Sequence, residues 1–182
     1  MLNFEKVKRF ANSDIQLPTR ATGGSAGYDF YVAEDILIPS LFAQDFKFLQ
    51  LGYLLDLPFR DILDLDEVAD FYKEQGLRPV LVPTGVKCHL DPGTYLELSV
   101  RSSTPLKYLL ILANGVGIID EDYYGNPSND GEIFFQIINL GPNPIQLHKG
   151  DKIGQGILKP YLIAGDDVAT GKRLGGFGST SA

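Results

Sequence analysis

The chain has 182 residues, 44% of them hydrophobic, and a formal net charge of −7. That length sustains one domain with a sizeable core. The acidic balance argues against broad attraction to duplex nucleic acid or an anionic membrane, while a small phosphorylated ligand needs only a few placed cations. A single cysteine, Cys88, leaves no intrachain disulfide, and with only His89 and His148 beside it a structural zinc site is not expected. No apolar run reaches the roughly 18 residues of a membrane-spanning helix. No signal peptide is evident at the N-terminus, so the expected location is the cytoplasm, or the host cytoplasm for a viral source.

In chain order, residues 3–10 read as a first strand with Phe4, Val7 and Phe10 as apolar members, and breakers at Leu17-Pro18 and Gly23-Gly24 flank a loop. Residues 28–33 and 36–38 read as the next strands. Residues 40–78 have a different texture. Phe42, Phe46, Leu49 and Tyr53 recur at helical spacing, and residues 65–75 read as a second helix with Asp64 as N-cap and Gly76 after its end. This segment is expected to be a helical insertion between two strands, either packed on the domain edge or used to engage a protein partner. From residue 80 short apolar or alternating runs return at 80–82, 86–90, 95–100, 108–112, 133–139, 145–147 and 153–162, separated by Pro, Gly, Asn and Asp. Many short strands with regular turns predict an all-β, antiparallel sandwich or barrel, a single domain over residues 1–182. Residues 165–182 are polar and then glycine-rich and read as a mobile tail.

Three segments can carry chemistry. Asn114-Gly115 is a hairpin signal whose backbone groups can read the edge of a planar base, and Asp120, Asp122 and Tyr123 follow closely. Alone, this is equally an ordinary hairpin with a solvated acidic end. Arg101-Ser102-Ser103 at a strand end suits a phosphate, although a surface arginine there is more often just hydrated. Gly175-Gly176-Phe177-Gly178-Ser179-Thr180, preceded by Lys172 and Arg173, can wrap phosphates with backbone amides, but flexible Gly/Ser ends are common. Together these features point to a nucleoside triphosphate and a carboxylate-activated water.

Five motifs carry a resemblance, in order. They are Ala26-Gly27-Tyr28-Asp29-Phe30, Arg101-Ser102-Ser103, Gly117-Ile118-Ile119-Asp120-Glu121-Asp122-Tyr123, Gly150-Asp151-Lys152-Ile153-Gly154-Gln155, and the glycine-rich tail. The chain resembles the trimeric dUTPases over nearly its whole length apart from residues 40–78. The resemblance implies a jelly-roll-like β domain, a homotrimer whose sites are shared between subunits, and cleavage of dUTP to dUMP and pyrophosphate with Mg²⁺ on the phosphates. It implies Asp120 as general base. It implies that Asn114, with the backbone of Gly117 and Ile119, meets uracil and that Tyr123 stacks on the deoxyribose. Arg101, Ser102, Ser103 and Gln155 would hold phosphate, and Asp29 would reach the metal only through water. Phe177 would cover the uracil, with Ser179 and Thr180 at the γ-phosphate and Gly178 among the substrate-binding residues. No stable nucleic acid binding and no membrane association are expected.

The chain departs from the family pattern in places. Ser103 replaces the usual glycine of the second motif. Lys172 stands where the tail arginine is usual, so Lys172 and Arg173 both remain candidates for the γ-phosphate. Residues 126–130 lengthen the third motif, and residues 40–78 are the largest departure. Rival readings are a dCTP deaminase, which this chain disfavours by placing Gln136 where that family has a catalytic glutamate, and a regulatory module acting through the insertion.

Overall fold

The computed structural model describes residues 2–41 and 78–176. The two helices expected within residues 40–78, and Phe177, Gly178, Ser179 and Thr180 of the tail, lie outside the described residues. The strands are β1 (Asn3–Lys6), β2 (Tyr28–Tyr31), β3 (Ile36–Ile38), β4 (Val80–Pro83), β5 (Val86–His89), β6 (Thr94–Val100), β7 (Leu110–Leu112), β8 (Gly117–Ile119), β9 (Phe134–Asn139), β10 (Ile145–Leu147) and β11 (Lys152–Pro160). One sheet runs β2-β11-β6-β8 and a second β4-β9-β7, with β1-β5 and β10-β3 as two-stranded pairs, every ladder antiparallel. The expected all-β class is what the chain adopts.

Period-two alternation builds the core. Along β9, Phe135 and Ile137 turn inward, and along β6 Leu96 and Leu98 do the same. They meet Phe30, Ile38, Leu110 and Ile153, all nearly fully buried. Each such side chain contributes roughly 1.5–3 kcal/mol of apolar burial. Close approach of β11 to β9 requires Gly154. A Cβ there would lie 2.7 Å from the Ser99 carbonyl oxygen and 2.8 Å from Phe135 Cδ1.

Among the described residues no buried side-chain nitrogen or oxygen lacks a hydrogen-bond partner. Glu132, 1% exposed, receives Arg9 through Nε at 2.6 Å and Nη2 at 2.7 Å and the Gly85 N–H at 3.0 Å. This fork fastens the N-terminal segment to the entry of β9. Asn139 donates to the Ile38 and Asn143 carbonyls and accepts from the Gly141 N–H.

Three expectations are corrected. The first strand stops at Lys6, and Lys8–Phe10 forms a 3₁₀ turn that lets Phe10 fold into the core. Residues 108–112 are not one strand. A short helix, α1 (Ser103–Tyr108), precedes β7, with Pro105 in its first turn, where a missing N–H costs nothing, and Leu109 closing it at φ 53°. Asn114-Gly115 does not close a hairpin. β7 pairs with β9 and β8 pairs with β6, so this turn carries the chain from one sheet to the other, with Gly115 at φ 71°.

Candidate active site

The sheet-to-sheet crossing at Asn114-Gly115 opens a cavity of about 170 Å³, lined by Asn114, Gly117, Ile119, Tyr123, Gln136 and Arg173 among others. It lies between β6 and β8 of one sheet and β7 and β9 of the other. Its size is below the roughly 300–1,000 Å³ of pockets that enclose a drug-sized ligand, so it suits part of a nucleotide rather than the whole. Asn114 is exposed at the rim, while Tyr123 is buried, 7% exposed, at the back.

Asp120 leaves the end of β8 with extended backbone and stands before the 3₁₀ turn Glu121–Tyr123. Its side chain is half exposed and pairs through Oδ2 with Arg173 Nη2. Asp122 accepts the same guanidinium through Nε at 2.7 Å. Glu121 points elsewhere and accepts the Gly93 N–H at 2.9 Å. Of the three adjacent acids, Asp120 and Asp122 therefore face the tail. Burial works against the charge of Arg173, but its bonds to Asp122 and Asp120 outweigh this and raise its pKa above the ordinary value. Arg173 also lies 5.8 Å from the centroid of the Tyr123 ring. Gly176 packs on that ring, where a Cβ would come within 2.8 Å of Tyr123 Cε2. Lys172 is exposed and lines no part of this cavity.

A second cavity of about 450 Å³ is lined by Arg101, Ser103, Thr104, Lys107, Asp151 and Lys152, with others. Asp29, buried at the start of β2, holds two of these cations, Lys152 Nζ at 2.7 Å and Arg101 Nε at 3.4 Å. Ser102 is exposed beside them, and Gln155 on β11 donates to the Ser99 hydroxyl at 3.3 Å. The two groups of residues are not brought together within one chain. β8 pairs with β6 no further than Leu98, and Arg101 follows three residues later, about 10 Å further along at strand rise.

Several contributors were not singled out from sequence. Asp122 is legible in the sequence as an acid, but its grip on Arg173 depends on the tail's path, which composition does not encode. Lys107 and Lys152 become a cationic wall only once α1 packs beside β11. Cys88 offers no nucleophile, since burial pushes its thiol up to about 12. Among the described residues no helix is long and apolar enough to cross a membrane.

A family model described as dUTPase matches residues 58–180. The deoxyuridine 5'-triphosphate nucleotidohydrolase of Lactococcus lactis is 35% identical over 181 residues, covering 98% of this chain and 97% of that protein. The crystal structure of a dUTPase from Streptococcus mutans superposes with a TM-score of 0.65 at 33% identity, over 88% of this chain and 97% of that one. A mutant dUTPase from phage phi11 of S. aureus, whose structure details the coordination of a structural Mg(II) ion, shares the fold with a TM-score of 0.59 at 14% identity, over 95% of this chain and 97% of that one.

Proposed function

This chain belongs to the dUTPase family, and from that premise we propose a mechanism in which the Asp120 carboxylate takes the proton of the water that attacks the α-phosphorus of dUTP. The enzyme is a dUTP diphosphatase. In the step envisaged, the water oxygen bonds to the α-phosphorus, the bond to the bridging oxygen breaks, and pyrophosphate leaves. Positioning and charge neutralisation supply most of the acceleration in such transfers, with a general base adding its share. The observation that carries this reading is the Asp120 carboxylate paired with Arg173, a tail cation that lines the ring-sized cavity and that a triphosphate would attract.

Asn114 and the backbone of Gly117 and Ile119 read the uracil edge, and Tyr123 lies against the deoxyribose. Arg101, Ser102, Ser103 and Gln155 hold phosphate oxygens. Because those groups stand apart from Asn114 and Tyr123 on one chain, the reading includes a homotrimer in which neighbouring subunits complete each site. Exposed Leu106, Tyr108, Leu162 and Ile163 supply apolar surface for such packing. Arg173, rather than Lys172, passes to the γ-phosphate, with Phe177 closing over the base and Gly178, Ser179 and Thr180 on the phosphates. The reaction is placed in the cytoplasm.

A Mg²⁺ ion carried on the triphosphate would neutralise part of its charge. Asp29 would hold that ion only through water, since each of its oxygens already faces a cation, Arg101 or Lys152, whose charge opposes a metal ion in direct contact. Its work on the chain itself is to orient Arg101.

Pyrophosphate release from dUTP, dCTP, dTTP and UTP tests the reading. Turnover of dUTP alone is expected. Comparable turnover of UTP or dCTP would overturn the assigned base and sugar contacts.

A further inference from the structure

We propose that Asn129 is a positioning residue that sets the angle of the Tyr123 ring through its hydroxyl, and that the lengthened segment 126–131 exists in this chain to hold that asparagine in place. The inference rests on the reading of Tyr123 as the ring against the sugar.

The hydrogen bonds run in one direction. Asn126 Nδ2 donates to Asn129 Oδ1 at 2.7 Å, Asn129 Nδ2 donates to the Tyr123 hydroxyl at 2.7 Å, and that hydroxyl donates to the Glu132 carbonyl at 3.0 Å. The Asn129 amide has no freedom to flip, because its Oδ1 also accepts the Gly131 backbone N–H at 3.1 Å. Its NH₂ therefore faces the phenol. The phenol makes one bond as acceptor and one as donor, and two fixed partners on a buried hydroxyl define the plane in which the ring can lie. Burial also holds the Tyr123 pKa above its ordinary value, so the hydroxyl keeps the proton that this arrangement needs.

The segment is anchored independently of Asn129. Asn126, buried, accepts the Ser128 N–H and hydroxyl, and the Asp130 N–H donates to its carbonyl. At the far end Asp130 accepts the Lys8 N–H at 2.9 Å and Lys87 Nζ at 3.2 Å, and Glu132 is forked by Arg9. Removing the donor from Asn129 thus leaves the segment held and frees only the phenol. What the freed ring would disturb is on its exposed side, where Arg173 lies and Gly176 packs. Ring angle thereby links the sugar contact to the seating of the tail.

A double-mutant cycle tests this. Asn129→Asp keeps size and the acceptor for Gly131 while removing the donor, and it is combined with Tyr123→Phe, which removes the hydroxyl. In the native background KM for dUTP should rise about fivefold, the worth of one neutral hydrogen bond, with kcat changed less than about twofold and the dUTP over UTP preference falling by a similar factor. In the Tyr123→Phe background that extra rise should vanish, because the introduced carboxylate, which can only accept from the phenol, acts on the ring solely through the hydroxyl that this variant lacks, while its longer-range field persists in both backgrounds and cancels. Equal effects in both backgrounds would overturn the proposal. If Asn129→Asp fails to fold, the same cycle with Asn129→Ser carries the same two outcomes. Tyr123→Ala separates the levels. Native KM in that variant would overturn the premise and the inference together, whereas a raised KM beside equal effects in the cycle would overturn the inference alone.

Discussion

Arg173 reaches back over the 3₁₀ turn and joins Asp120 to Asp122, with Nη2 on one carboxylate and Nε 2.7 Å from the other. A tail cation and the proposed base are therefore paired with each other. In the proposed mechanism a triphosphate would offer the guanidinium a more highly charged, bidentate partner and would leave Asp120 open to water.

Removing that cation should be costly. Arg173→Ala is expected to lower kcat/KM for dUTP by about 10- to 100-fold, the range for a charge-assisted hydrogen bond. Lys172→Ala, at an exposed side chain, should change it less than about threefold. Steady-state kinetics on both variants decide between the two cations, and the reverse ranking would return the γ-phosphate role to Lys172.

Shared sites predict complementation. Arg101→Ala and Asp120→Asn chains, each nearly inactive alone, should regain part of the native rate when unfolded and refolded together, because some mixed sites draw an intact Arg101 and an intact Asp120 from different chains. Light scattering should give a trimer mass. A monomer with full turnover would contradict the shared arrangement.

Gly154→Ala should cost about 3 kcal/mol or more through overpacking, since the new methyl meets the Ser99 carbonyl and the Phe135 ring. Urea denaturation measures it. A loss under about 1 kcal/mol would show that β11 and β9 can separate more easily than their packing implies.

The anchor at Asp130 gives a pH signature. Burial alone would raise its carboxyl, but the Lys8 N–H and Lys87 outweigh burial and hold it below its ordinary 3.8. A group depressed in the folded state adds stability above its unfolded pKa and loses it as pH falls through the folded value. The urea midpoint of Asp130→Asn should therefore lie below native at about pH 6 and converge on native toward about pH 2. A gap that is constant with pH would remove the carboxylate from the anchor.

Much of the fold was legible because alternation is local. Leu96 and Leu98 on β6 and Phe135 and Ile137 on β9 announce their inward faces by spacing alone. What failed was partner choice. Asn114-Gly115 reads as a hairpin because turn chemistry is encoded locally, but which strands the turn joins depends on pairing with β6 and β9, far away in sequence. Residues 108–112 read as one strand because they form a short, wholly apolar run, while the helix over residues 103–108, a turn and a half long, leaves little periodicity to detect. The site residues were named by motif, yet the grip of Arg173 on Asp120 and of Asn129 on Tyr123 follows from where two irregular segments run, and irregular backbone carries no period.

In the proposed mechanism Asp120 supplies the base. Asp120→Asn keeps the shape of the side chain and removes its basicity, and it is to be assayed for pyrophosphate release from dUTP alongside binding of a non-hydrolysable dUTP analogue. The account predicts turnover lowered by at least about 100-fold with the analogue still bound. Turnover within about tenfold of native in a folded variant would contradict it.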